Sequence, residues 1–196
     1  MLAARVAIGS TALALVALAA VHVLRPEIAA ARSMISRYAL GRHGWVMALC
    51  FAAFAAGSAF LSTAIVAQLT SLHGRIGAAL LLATAVALAL AARFSMDPVS
   101  TPPAQMSWSG RMHSMAFMVG VPCQVLSLLL LSVALGEQTS HAALPLLEIA
   151  AVICASLAAM ITIMLIVGPG KPSNPDGPER FLGLPNRLFM TASAYG

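Results

Sequence analysis

The sequence has 196 residues, of which 60% are hydrophobic and only 9% are charged. A soluble domain carries roughly 25% charged residues and must cover its exterior with polar groups, so this composition excludes a soluble globule and favours a protein embedded in lipid. The formal net charge of +5 does not indicate a nucleic-acid partner, because the basic residues stand at the ends of apolar runs instead of clustering on a polar face.

Five apolar runs approach or exceed the ~20 residues that a helix needs to cross hydrocarbon. In chain order they are residues 6–24, 45–69, 75–93, 114–135 and 145–168. Their continuous apolar character predicts helices, because the strands of a membrane barrel alternate between apolar and polar residues. The sequence therefore predicts an all-α integral membrane protein in which residues 1–167 form a bundle of five transmembrane helices.

The character of the chain changes after the fifth run. Residues 168–187 are rich in glycine, proline and charge, which predicts a water-exposed cytoplasmic loop. Residues 188–196 are apolar again but too few to cross a bilayer. They form either an interfacial tail or the start of a sixth helix.

The basic residues predict the orientation of the bundle. With the N-terminus outside, nine of the eleven Lys and Arg residues share the cytoplasmic side and only Arg5 and Arg75 lie outside. This asymmetry is typical of a multi-pass protein of the inner (cytoplasmic) membrane, with the tail after Gly168 in the cytoplasm. The cytoplasmic set is Arg25, Arg32, Arg37, Arg42, Arg93, Arg111, Lys171, Arg180 and Arg187.

Polar residues at the cytoplasmic face form the candidate site, because ionisable groups in or beside a membrane cost free energy and often serve function. They are His22, Ser36, Tyr38, His43, Asp97 and His113. Histidines and an aspartate at one depth fit a zinc ion with an open position for water, and two histidines fit a haem. The sequence has no HExxH motif, however, which favours the interpretation that the histidines bond to loop carbonyls or lipid headgroups. We assign no catalytic residue and no cofactor, leave a metal open, and expect Asp97 and His113 to be near neighbours.

The segment between the first two runs is the most distinctive polar piece. Helical spacing would place Ile28, Ile35 and Tyr38 on one side, in either a helix on the membrane surface or a solvated loop. Four arginines in this segment are expected to contact lipid headgroups or a partner protein: Arg25, Arg32, Arg37 and Arg42. Tyr38, Trp45 and Trp108 stand at the ends of runs, a position typical of aromatic belts.

Residues 35–45 read ISRYALGRHGW. This stretch resembles the ISEYALG-x-x-GW signature that follows the first helix in a family of bacterial and archaeal membrane proteins grouped as a domain of unknown function. Further similarities are His22, the F-x-x-D pattern of Phe94 to Asp97 and the G-x-x-H pattern of Gly110 to His113. Arg37 replaces the acidic residue of the family signature, and the stretch from Thr101 to Gly110 is longer. The resemblance implies six helices, the last beginning near Leu188, and no established activity.

These observations predict a non-enzymatic polytopic membrane protein of unknown activity that interacts with lipid or is a subunit of a larger membrane assembly. Its expected partners are membrane lipids and other membrane-protein subunits. The alternatives are a metal-dependent membrane hydrolase acting on lipid, by distant likeness to ceramidase-type enzymes, and a b-haem protein.

Overall fold

A computed structural model describes residues 2–28, 30, 33–69, 71–98, 101–137 and 188. In this part the chain forms four long helices, α1 (Leu2–Leu24), α2 (Gly44–Val66), α3 (Leu72–Arg93) and α4 (Trp108–Gly136). Two short 3₁₀ helices precede α2 and α4, at Ile35–Ala39 and Pro103–Gln105. No strand occurs among these residues.

All four helices are long and apolar enough to cross a membrane. They have 22 to 29 residues and a mean hydropathy of 2.0 to 2.2, and a 22-residue helix is about 33 Å long, against a hydrocarbon thickness of about 30 Å. The prediction of an all-helical, multi-pass membrane protein is confirmed. The predicted fifth span and the loop 168–187 lie outside the described residues, as does the tail 188–196 apart from Leu188, so the number of five helices stays a prediction.

The helices α3 and α4 begin at Leu72 and Trp108, earlier than the apolar runs indicated. The hydroxyl of Ser71 accepts a hydrogen bond from the Gly74 N–H (3.2 Å), and the hydroxyl of Ser107 accepts one from the Gly110 N–H (3.0 Å). These serines cap α3 and α4 by satisfying backbone donors of the first turn. The predicted spans 75–93 and 114–135 are helical, and both helices extend further toward the N-terminus because an arginine in a first turn can extend to water and need not lie outside the helix.

The helices pack against their neighbours in sequence, α1 on α2, α2 on α3 and α3 on α4. Small residues allow the backbones to approach closely at these contacts. A Cβ atom at Gly57 of α2 would lie 2.8 Å from Oγ1 of Thr11 in α1. A Cβ atom at Gly77 of α3 would lie 2.9 Å from Cγ of Leu131 in α4.

Buried hydroxyl groups link the helices. Ser62 of α2 donates a hydrogen bond to the Ala78 carbonyl of α3 (2.7 Å), and Ser127 of α4 donates one to the Gly77 carbonyl of α3 (2.8 Å). Bonds of this kind between membrane helices contribute about 0.6 kcal/mol each on average. They fix the rotation of α2, α3 and α4 about their axes, and thereby determine which side chains face one another.

One end of the bundle carries the connections from α1 to α2 and from α3 to α4, since successive helices run in opposite directions. We call it the loop face, formed by the described residues between 25 and 43 and between 93 and 111. Trp45 and Trp108 begin α2 and α4 at this end, and their side chains are exposed. Such tryptophans are typical of the membrane–water interface, which places the loop face at that interface.

Candidate functional site

The segment between α1 and α2 is anchored by a buried tyrosine. Tyr38 and Ile35 are each only 1% exposed and Ile28 is also buried, so the three residues share one side as their spacing predicted. The Tyr38 hydroxyl donates a hydrogen bond to the Ile28 carbonyl (3.2 Å), and its ring centroid lies 4.8 Å from that of His22. Only residues 35–39 are helical, so the described part of this segment does not form a continuous surface helix.

Arg25 closes the same segment from the other side. Its guanidinium donates hydrogen bonds to the Leu40 carbonyl (2.6 Å) and to the carboxylate of Glu27. The hydrogen bond from Arg25 lowers the pKa of the Glu27 carboxyl and keeps it charged. The structure therefore gives Arg25 a role in holding the loop, while Arg37 and Arg42 are exposed. Arg32 lies outside the described residues, and the predicted contact of these arginines with lipid or a partner stays a prediction.

Two histidines of the predicted site bond to backbone carbonyls, and the third directly precedes a helix without a capping hydrogen bond from its side chain. His22 Nδ1 donates to the Leu18 carbonyl of its own helix (2.6 Å), and His113 Nδ1 donates to the Phe94 carbonyl (2.9 Å). His43 occupies the N-cap position of α2. Within the described ranges, no three His, Cys, Asp or Glu residues come together as a potential metal site.

Asp97 organises the connection from α3 to α4. Its carboxylate accepts hydrogen bonds from the N–H and the hydroxyl of Ser107, both at 2.7 Å, and a Cβ atom at Gly110 would overlap it. His113 donates its hydrogen bond to the carbonyl of Phe94, three residues before Asp97. Both His113 and Asp97 therefore lie at this junction. The six predicted site residues thus include two separate pairs at the loop face, His22 with Tyr38 and Asp97 with His113.

Replacing Asp97 with alanine is expected to lower the free energy of unfolding by about 2 kcal/mol, because two charge-assisted hydrogen bonds at the start of α4 are lost. Helix content followed by circular dichroism during denaturation in mixed micelles measures this loss. Asp97→Asn is the control, because it retains one acceptor oxygen and is expected to lose less. An alanine variant as stable as the wild type would show that Asp97 does not hold the junction.

A cleft between α2, α3 and α4 is the feature that the sequence did not reveal. Its walls are mostly apolar, and the 3₁₀ helix Ile35–Ala39 borders it at the loop face through Ile35 and Ser36. Its cavity volume is about 70 Å³. The apolar walls include Phe51, Phe54, Leu88, Ala91 and Phe117, and the polar groups are Ser36, Ser58, Thr84, His113 and Gln124.

The cleft runs along the bundle from the loop face toward its middle. His113 and Gln124 both line it and are eleven residues apart on α4, a distance of about 16 Å along the helix axis. This length is about half of the ~30 Å hydrocarbon thickness. The cleft therefore spans a length comparable to one membrane leaflet, and we call its end at the loop face the mouth.

The loop face beside the mouth is positively charged. Arg37, Arg42, Arg93 and Arg111 are exposed there. Of these, Arg42, Arg93 and Arg111 form no ion pair with the described residues, although the Arg93 guanidinium stacks 5.5 Å from the Phe94 ring centroid. The acidic residues of this face are engaged, Glu27 by Arg25 and Asp97 by Ser107. A net positive surface results.

The fold and cleft define a polytopic helical membrane protein with a mostly apolar cleft that reaches the loop face. Residues 8–195 match the family described as "Protein of unknown function (DUF998)", and the chain belongs to this family. The prediction of a family of unknown function is confirmed, while the signature motif and the bacterial or archaeal origin stay predictions. No curated protein and no solved structure matches the chain.

Proposed function

We propose that this protein is a non-enzymatic lipid-binding membrane protein, in which the cleft holds one acyl chain of an anionic lipid and the arginines of the loop face bind its phosphate. The observation that carries this proposal is the position of the cleft, which is narrow, mostly apolar and reaches the arginine-bearing loop face through Ile35 and Ser36. An occupant with an apolar chain and a negative head group complements both parts.

The width of the cleft favours a single chain. A volume of about 70 Å³ spread over about 16 Å corresponds to a narrow channel, which suits one chain and not two. A lipid with two chains would insert one chain and leave the other in the bilayer. Binding then requires no large opening of the bundle.

The arginines are the expected source of affinity. An acyl chain that enters the cleft leaves lipid and not water, so its transfer provides little hydrophobic free energy. A basic residue near an anionic membrane surface contributes about 1 kcal/mol. Four exposed arginines at the loop face are therefore sufficient to retain an anionic lipid in preference to a neutral one.

The loop face is proposed to lie on the cytoplasmic side of the inner membrane, with the N-terminus outside. Among the described residues, the loop face carries Arg25, Arg37, Arg42, Arg93 and Arg111, whereas Arg5 and Arg75 lie toward the opposite end. This distribution agrees with the positive-inside rule. Membership of a larger assembly stays a prediction, and no contact among the described residues supports the metal-dependent hydrolase or the b-haem protein.

Photolabelling tests the cleft directly. The full chain in nanodiscs of phosphatidylcholine receives a trace of phosphatidylglycerol with a photoreactive group on one acyl chain, and mass spectrometry maps the labelled peptides. We expect labels on the cleft-lining segments of α2, α3 and α4. Ala91→Phe fills the cleft and should reduce these labels at least fivefold, since it occupies the space of the chain.

Ala89→Phe is the matched control, because Ala89 is exposed on the same helix two residues away. It should leave the cleft labels unchanged. Replacing Arg37 and Arg42 with Gln should weaken labelling by phosphatidylglycerol about fivefold per charge, which corresponds to about 1 kcal/mol each. Labels confined to exposed helix faces would contradict the proposal, as would equal labelling of the Ala91→Phe and Ala89→Phe variants. The proposal would also fail if a protein helix, from a partner or from this chain, were found in the cleft.

A further inference from the structure

The mouth of the cleft holds a histidine with a fixed orientation. His113 is 7% exposed, and its Nδ1–H donates to the Phe94 carbonyl at 2.9 Å. Its ring meets the ring of Phe51 edge-on, with the centroids 6.0 Å apart. These contacts come from the end of α3 and from α2, so they hold the imidazole between two helices.

The hydrogen bond to Phe94 determines what His113 can offer a ligand. In a neutral imidazole one nitrogen donates and the other accepts. Since Nδ1 carries the hydrogen that the Phe94 carbonyl accepts, Nε2 is the acceptor. The apolar residues Phe51, Ala91 and Ala116, which line the cleft with His113, have side chains that cannot donate to it.

Ser36 supplies a second polar group at the same end of the cleft. It lies in the 3₁₀ helix at the loop face and lines the cleft together with His113. Its hydroxyl has no hydrogen-bond partner among the described residues, and a serine hydroxyl both donates and accepts. A group placed between the two residues could donate to His113 and accept from Ser36.

We propose that His113 and Ser36 form a hydroxyl-recognition site, so that the preferred occupant is an anionic lipid with a free hydroxyl where its acyl chain meets the head group. This inference rests on the proposed lipid-binding function and narrows its ligand class. A lipid hydroxyl satisfies both residues at once, whereas an ester or ether oxygen at the same place cannot donate to Nε2. Polar sites built in this way discriminate against ligands that lack the hydrogen-bonding group.

A pair of lipids that differ in this hydroxyl alone provides the test. Oleoyl-glycerophosphate has one chain, a phosphate and a free hydroxyl on the middle glycerol carbon, and its methyl ether replaces only that hydroxyl. Each competes with the photoreactive phosphatidylglycerol for cleft labelling of the full chain in nanodiscs. The lipid with the hydroxyl is expected to displace the label at about tenfold lower concentration. Glycerol phosphate, which has no chain, should not displace it.

Two variants assign the preference to these side chains. His113→Phe keeps an aromatic ring but removes the acceptor, so the tenfold preference should fall to about one while the label still binds. Ser36→Ala, a small change on a short helix, should reduce the preference about threefold. It replaces His113→Phe as the test if that variant does not fold.

Equal displacement by the two lipids in the wild type would overturn the hydroxyl site and leave the proposed function standing. A preference that survives in both variants would overturn it too. Displacement by glycerol phosphate would mean that the site binds a free polyol phosphate. A wild-type protein with no cleft label at all would instead contradict the proposed function itself.

Discussion

Tyr38→Ala is expected to lower the free energy of unfolding by about 4 kcal/mol, the range found when a large buried ring is truncated. Tyr38 is 1% exposed and is among the largest fully buried side chains of the described chain. Its removal would leave a cavity between the 3₁₀ helix and α1, and would remove the ring contact with His22. Equilibrium unfolding in mixed detergent micelles, followed by circular dichroism, measures the change.

Tyr38→Phe is the matched control, because it retains the ring and removes only the hydroxyl that bonds the Ile28 carbonyl at 3.2 Å. We expect it to lose about 1 kcal/mol. The difference between the two variants then reports the packing of the ring. An alanine variant no less stable than the phenylalanine variant would mean that the loop is not packed on α1 as described.

The helices themselves could be predicted because their cause is local. A run of about 20 apolar residues must form a helix in lipid to satisfy its backbone, and each of the first four predicted runs corresponds to a helix. The helix starts could not be predicted from hydropathy alone, because Ser71 and Ser107 determine them through single hydrogen bonds. A serine three residues before a glycine N–H is a weak signal in so apolar a chain.

The prediction of an aromatic belt at the ends of the apolar runs was only partly correct. Tyr38, Trp45 and Trp108 all stand near the ends of runs, and all three fitted an aromatic belt. Both tryptophans are exposed, as a belt requires, but Tyr38 is buried under the loop. The useful signal was the spacing of Tyr38 with Ile28 and Ile35, which correctly indicated a shared side.

The cleft could not be predicted because it depends on contacts between distant parts of the chain. Its lining comes from three helices and a 3₁₀ helix, and which side chains face inward depends on how each helix is rotated. Interhelical bonds such as that of Ser127 to the Gly77 carbonyl, fifty residues away, set this rotation. The sequence indicated Ser36 and His113 as candidate site residues. It gave no reason to expect that both line the same cavity.

Gly44→Ala is expected to lower the free energy of unfolding by about 3 kcal/mol, measured in the same micelle assay. A Cβ atom at Gly44 would overlap the Ala39 carbonyl oxygen and lie 2.9 Å from its carbonyl carbon. These are backbone atoms at the end of the 3₁₀ helix, so they cannot rotate away as a flexible side chain could. Overpacking of this kind typically costs 1–3 kcal/mol and sometimes more.

Gly9→Ala provides a control of the opposite sign. Gly9 lies inside α1, is exposed, and has no atom within 4 Å of a built Cβ. Alanine is favoured over glycine in a helix interior by up to about 1 kcal/mol, so this variant should be slightly more stable than the wild type. Gly44 begins α2 and would gain from the same propensity if nothing hindered its Cβ. If Gly44→Ala stabilised the protein, the segment ending at Ala39 would not lie against the start of α2. In that case Ile35 and Ser36 would not border the mouth of the cleft.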